Sequence, residues 1–199
     1  MGFTYPLNGL VLAGGRSSRM KADKSLLTYH GISQVEHCYK LLTEWCDDVY
    51  LSNRKDQSTL SEHRKFPQIH DLYPDIGPLG GILSAMQFIP DAAWLILACD
   101  LPFIQSSLIK HLVERRVRSK AATAYRSIHE PQMPEPLCAI YEPKSQSILK
   151  ESMRQGILCP RKILIHAEVE MLNQSEPGAL ENINNEEDHR KALGMLRKG

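Results

Sequence analysis

Glycine, arginine and lysine crowd one short stretch of this chain, Gly14-Gly15-Arg16-Ser17-Ser18-Arg19-Met20-Lys21-Ala22-Asp23-Lys24. It follows Leu10-Val11-Leu12-Ala13, an apolar run with the pattern of a short buried strand. Adjacent glycines leave backbone N–H groups uncovered, so an anion or a flat base can come close. Arg16, Arg19 and Lys24 add the cations that suit a triphosphate. Neither G-x-x-x-x-G-K-[ST] nor G-x-G-x-x-G is present, so this is not a P-loop or a dinucleotide fingerprint. A surface turn with solvated charges is the plainer alternative, and cations placed directly behind a buried strand weigh against it.

A second signal is Cys99-Asp100-Leu101-Pro102, where an aspartate ends the most apolar run, Trp94 to Cys99. A carboxylate there can hold a hard cation through oxygen, and magnesium needs only one or two such ligands beside water and phosphate. Taken alone, a turn residue before proline is at least as good a reading. Asn53 and Asp71 follow two further strand-like runs, Val49 to Ser52 and Gln68 to His70. Each singly is an Asx-turn candidate. Gly77-Pro78-Leu79-Gly80-Gly81 starts a helix, with proline at its first position and glycines that allow close packing.

The elements that must position these residues alternate along the chain. Ser33 to Cys46 is helical, with Val35, Cys38, Leu41, Leu42 and Trp45 on one stripe, and a second helix runs from Gly77 to about Phe88. Ser106-Ser107 can cap a helix from Leu108 to Arg118. Ala121 to Tyr125 and Leu137 to Tyr141 read as strands joined by a Pro-rich connection, and Ile163-Leu164-Ile165 reads as another strand. Lys144 to Arg154 and Glu186 to Arg197 are helical, and the charge run Glu114-Arg115-Arg116 reads as a solvated helix face. The expected fold is a three-layer α/β/α, Rossmann-like domain with a mostly parallel sheet covering residues 1–199. Ligands of such sheets bind beyond the carboxyl ends of the strands, which is where the candidate residues fall.

Composition narrows the function classes. With 24 basic and 23 acidic residues the net charge is +1, which argues against a nucleic-acid or membrane-surface protein. The apolar runs are too short to span a bilayer, and the first residues lack a secretory pattern. Five scattered cysteines without a C-x-x-C pair suit a reducing cytoplasm, and Cys99 and Cys138 read as core residues. The eight histidines form no metal-ligand motif, and no G-x-S-x-G elbow is present.

The run from Leu12 to Leu27, L-A-G-G-R-S-S-R-M-x-x-D-K-x-L-L, resembles the opening of the molybdenum cofactor guanylyltransferases. The resemblance extends through Asp71, Gly77 to Ile82, Cys99 to Pro102, Glu135 to Tyr141 and Asn182-Ile183-Asn184. It implies a GT-A-like nucleotidyltransferase that joins the GMP of GTP to the terminal phosphate of molybdenum-molybdopterin and releases pyrophosphate. Carried over, Leu12, Ala13, Gly14 and Gly15 would hold the guanine nucleotide by backbone, Lys24 would meet the phosphates, and Asn53 and Asp71 would contact the nucleoside. Arg19, Lys24 and Asp100 would be the catalytic set, with Asp100 the ligand of Mg2+. Gly80, Arg161, Asn182 and Asn184 would serve the acceptor.

The chain departs from the family pattern at Lys21, where glycine is usual, and at Asn185-Glu186-Glu187, where threonine and proline are usual. Cys159-Pro160-Arg161-Lys162 matches the family's paired arginines only loosely. Transient contact with other cofactor-biosynthesis proteins or molybdoenzymes is also implied. The alternatives are a cytidylyltransferase or related NTP transferase, whose relatives tend to carry L-A-A-G at the first glycine pair, and an inert nucleotide-binding module.

Overall fold

The computed structural model describes residues 5–14, 24–176, 178–183 and 185–196, Lys24 by its backbone alone. Seven strands form one sheet in the order β3-β2-β1-β4-β6-β5-β7. The first four are β1 (Leu7–Leu12), β2 (Val49–Asn53), β3 (Gln68–His70) and β4 (Ala93–Ala98). They pair in parallel, with Leu12 opposite both Ser52 and Ala98. β5 (Ala122–Arg126) pairs in parallel with β7 (Val169–Leu172). Between β4 and β5 lies β6 (Pro134–Tyr141), antiparallel to both.

Helices cover both faces. α1 (Gln34–Thr43) and α3 (Ser106–Glu114) pack with Val11, Leu95 and Leu97 on one side. α2 (Pro78–Phe88), α4 (Ser145–Arg154) and α5 (Pro160–Ile165) pack with Leu10, Trp94 and Ile96 on the other. Successive β4 residues thus enter different cores, which is why the whole strand is apolar and buried. α6 (Glu186–Leu196) closes the described chain. No helix among the described residues is long and apolar enough to cross a membrane.

Local chemistry explains the boundaries. Ser33 caps α1 by accepting the Glu36 N–H, and Gly77 holds φ 65° so that Pro78 can begin α2. Cys99 and Cys138 are core residues as expected.

Four expectations need correction. Ile163-Leu164-Ile165 belongs to α5, because Pro160 starts a helical turn that buries Ile163 and Leu164 against the sheet. The seventh strand is instead the half-buried β7. Ser106 and Ser107 lie inside α3, donating to Glu44 and Glu176, while Gln105 occupies the cap position and the helix stops at Glu114. Pro134 and Pro136 are strand residues, tolerated because β6 meets β4 only from Cys138 onward and needs no ladder partner on that side before it. Finally, the Arg116 side chain is largely covered and pairs with Glu142 through two nitrogens at 2.6 and 2.9 Å, so the charge run is not wholly solvated.

Candidate active site

Parallel pairing brings the carboxyl ends of β1 to β4 to one edge, and the hydrogen bonding continues just beyond them. Ala13 N–H donates to Ser52, Cys99 N–H to Leu12 and Asp71 N–H to Asn53, at 2.9, 3.2 and 3.2 Å. Gly14, Asn53, Asp71 and Asp100 therefore leave the sheet side by side. A cleft of about 800 Å³ opens there, and Leu12, Ala13, Gly14, Asn53, Asp71 and Asp100 all line it. Six residues predicted for the nucleotide side thus come together.

Each is held by its own element. Asp71 accepts the Tyr73 N–H at 2.8 Å, and burial raises its carboxyl above the usual range. It sits directly over α2. A β-carbon on Gly80 would lie 2.7 Å from both Asp71 oxygens and 2.5 Å from the Tyr73 carbonyl. Gly80 is therefore buried packing beneath Asp71. Asn53 is 1% exposed. Its amide nitrogen meets Gln68 Oε1 at 2.8 Å and His63 Nδ1 at 3.2 Å, and its oxygen meets His70 Nδ1 at 3.0 Å. Both N–H groups are used inside the protein, so this side chain builds the wall of the cleft.

Asp100 stands next to the β1 end, at the end of β4. The Asn182 amide donates to Asp100 Oδ2 at 3.4 Å, and Ile183 N–H donates to its carbonyl at 2.9 Å. Tyr29 lies near enough that burial, reinforced by the Asp100 charge, pushes its hydroxyl up to about 12. A small pocket beyond Leu137 is lined by Arg161, Asn182 and Glu135, with Arg161 and Glu135 paired at 2.7 Å. Gly15, Arg19 and Asn184 lie outside the described residues. Lys24 begins a short 3-10 turn, Lys24–Leu26, known by backbone.

Among the described residues no group of three or more His, Cys, Asp or Glu side chains is placed to hold a metal ion. The donor set at Asp100 is one carboxylate. That fits magnesium arriving with phosphate oxygens and does not fit a metal caged by protein alone.

Sequence reasoning missed Arg54, Gln57 and His63. Arg54 Nη1 donates to the Gly14 carbonyl at 2.7 Å and Gln57 Nε2 to the Ala13 carbonyl at 3.3 Å. No motif marks these residues.

A family model described as the MobA-like NTP transferase domain matches residues 9–169. The chain belongs to that family. This MobA-like chain is 36% identical over 184 residues to a molybdenum cofactor biosynthesis bifunctional protein of Synechocystis. That match covers 92% of the chain but 53% of the relative, so the chain spans about half its length. A probable molybdenum cofactor guanylyltransferase of Flavobacterium johnsoniae is 29% identical, over 92% of this chain and 94% of that one.

Among solved structures, molybdopterin-guanine dinucleotide biosynthesis protein A of Archaeoglobus fulgidus superposes with TM-score 0.79 at 22% identity, covering 96% of this chain and 100% of that one. The 4-diphosphocytidyl-2C-methyl-D-erythritol synthase of Anaerococcus prevotii gives 0.72 at 11%, covering 97% and 96%. MobA-like chains thus share their fold with an enzyme named for a cytidyl product, and fold alone does not choose the base.

Proposed function

We propose that this chain, as one nucleotidyltransferase domain over residues 1–199, is a molybdenum cofactor guanylyltransferase. It transfers GMP from GTP to the terminal phosphate of molybdenum-molybdopterin, forming molybdopterin guanine dinucleotide. The observation that supports the reading is the cleft itself, which the Leu12–Gly14 segment and Asp100 line together at the ends of adjacent strands. The family's relatives supply the choice of reaction.

In this reading an oxygen of the acceptor phosphate forms a bond to the α-phosphorus of GTP. The bond from that phosphorus to the bridging oxygen breaks, and its electron pair leaves with pyrophosphate. The attacking phosphate is already anionic, so no general base is needed. Asp100 would hold Mg2+, which when bound supplies positive charge against the triphosphate. Lys24 and Arg19 offset the same charge from the protein, and the Leu12–Gly14 backbone fixes the nucleotide. Pyrophosphate release that requires both Mg-GTP and molybdenum-molybdopterin tests the proposal. GTP turnover that ignores the acceptor would overturn it, and the absence of any turnover would favour an inert binding module.

Lys24→Ala removes a charged contact of about 1.5–3 kcal/mol, so GTP affinity should fall by about tenfold or more at unchanged melting temperature. Calorimetry that finds equal affinity removes Lys24 from the phosphate site.

Base choice is tested at Gly14. Its φ lies outside the left-handed region, and an added β-carbon would meet its nearest neighbours, the Asn53–Arg54 backbone, at 3.7 Å. The protein therefore accommodates alanine without strain, and a loss of affinity would come from the ligand. Gly14→Ala should weaken GTP more than CTP, measured for both nucleotides on both proteins. Equal losses would remove the base contact, and a wild-type preference for CTP would overturn the guanylyl assignment.

A further inference from the structure

Residues 54–67, between β2 and β3, together with Gln68 at the start of β3, hold protein on both sides of the segment 15–23 that carries Arg16 and Arg19. On the entry side Gln57 and Arg54 occupy the carbonyls of Ala13 and Gly14. These two grips are themselves fixed. Gln57 Oε1 accepts the Arg54 N–H at 3.2 Å, and Asp56 binds the Arg54 guanidinium at 2.9 and 3.0 Å. Holding a carbonyl also fixes the N–H across the same trans peptide, so Gly14 N–H has a set direction.

On the exit side, His63 Nε2 lies 2.9 Å from Ser25 Oγ, one residue after Lys24. His63 is fully buried and Ser25 is 1% exposed. The direction of every bond in this chain follows from its far end. Gln68 Nε2 faces the carbonyls of Ser58 and His63, which only accept, so Gln68 Oε1 faces Asn53. Asn53 must then present its NH2 to Gln68 and to His63 Nδ1. His63 Nδ1 is therefore the acceptor, its proton sits on Nε2, and Nε2–H donates to Ser25. A buried, internally satisfied network of this kind holds one geometry.

We propose that residues 54–68 clamp both ends of the basic loop, and that His63 is the positioning residue that sets Lys24 through Ser25. The inference rests on the reading of that loop as the phosphate site. His63 touches no substrate. Its function is to keep the residue beside Lys24 in place.

The test compares wild type with Ser25→Ala, His63→Gln and the double variant. Calorimetry reads affinity for GTP with magnesium chloride and, separately, for guanosine, which lacks phosphates. Melting temperature is followed in parallel. Each single variant should weaken GTP by about tenfold, the loss expected for one misplaced charged contact. Guanosine affinity should stay within about twofold, and the double variant should match the worse single, because one link has been cut twice. Equal losses for GTP and guanosine would show general damage and overturn the proposal. So would losses that multiply in the double variant, or unchanged GTP affinity in Ser25→Ala. If His63→Gln does not fold, Ser25→Ala decides alone by the same contrast. If wild type prefers CTP, the guanylyl reading fails while the clamp is tested unchanged with CTP and cytidine.

Discussion

Asp100→Asn should lower the rate of pyrophosphate release by at least about a hundredfold, the scale of losing one electrostatic stabiliser of a charged transition state. Its melting temperature should barely move. Asparagine keeps the size and turn geometry at the end of β4, and the Ile183 N–H still donates to the same backbone carbonyl. The side-chain oxygen that accepts from Asn182 is also retained in kind. Only the charge is lost, and in the proposed mechanism charge is what Asp100 contributes. The hydroxyl of Tyr29 provides an internal check. Burial, the larger cause of its raised pKa, remains in the variant, while the Asp100 charge does not, so Tyr29 should titrate lower than in wild type. A variant with near wild-type magnesium-dependent activity would place the cation elsewhere.

Arg116→Ala should cost about 3–5 kcal/mol of stability, because it leaves a buried carboxylate without its partner. Arg116 and Glu142 are 6% and 1% exposed and meet through both oxygens. For a chain of this size each kcal/mol moves the melting temperature by roughly 2–4 °C, so the shift should be on the order of 10 °C. Replacing both residues with apolar ones, Arg116→Met with Glu142→Leu, should restore much of the loss, since the cost of the single change lies in the stranded charge. Urea unfolding of the three variants checks this. A loss below about 1 kcal/mol in Arg116→Ala would mean that water reaches Glu142.

Arg116 also shows where the sequence stops being legible. Beside Glu114 and Arg115 it looks like one more solvated charge, and its partner stands 26 residues later, just past the end of β6. Nothing local announces such a pair. The four parallel strands were legible for the opposite reason. Burial on both faces demands apolar residues, clearest in β1 and β4, and the runs stop just before Gly14 and Asp100 at the cleft; short β3, with only Ile69 buried, was marked by the Asp71 that follows it. The short apolar run at Ile163 fits a strand or a buried helical turn equally, and β7, half exposed, has too little pattern to compete with it. Gly80 was legible as packing, but only tertiary structure shows that what it makes room for is Asp71. His63, Gln57 and Arg54 lie in a polar stretch without spacing or motif, and their importance comes entirely from what the fold brings within reach of them.

The reversed direction of β6 divides the rim of the cleft into two kinds of construction. The rim at Gly14, Asn53, Asp71 and Asp100 is assembled from four strand ends separated by long crossovers, so altering it means changing four distant parts of the chain together. The small pocket beside the cleft receives Glu135 and Leu137 from the beginning of β6, which follows β5 through one hairpin at residues 126–134. Those β6 residues arrive as one contiguous cassette, beside Arg161 and Asn182 from later in the chain. Its turn can be lengthened, shortened or exchanged as a unit with β1 to β4 left as they are, so under the proposed function the acceptor side could change while the nucleotide side stays.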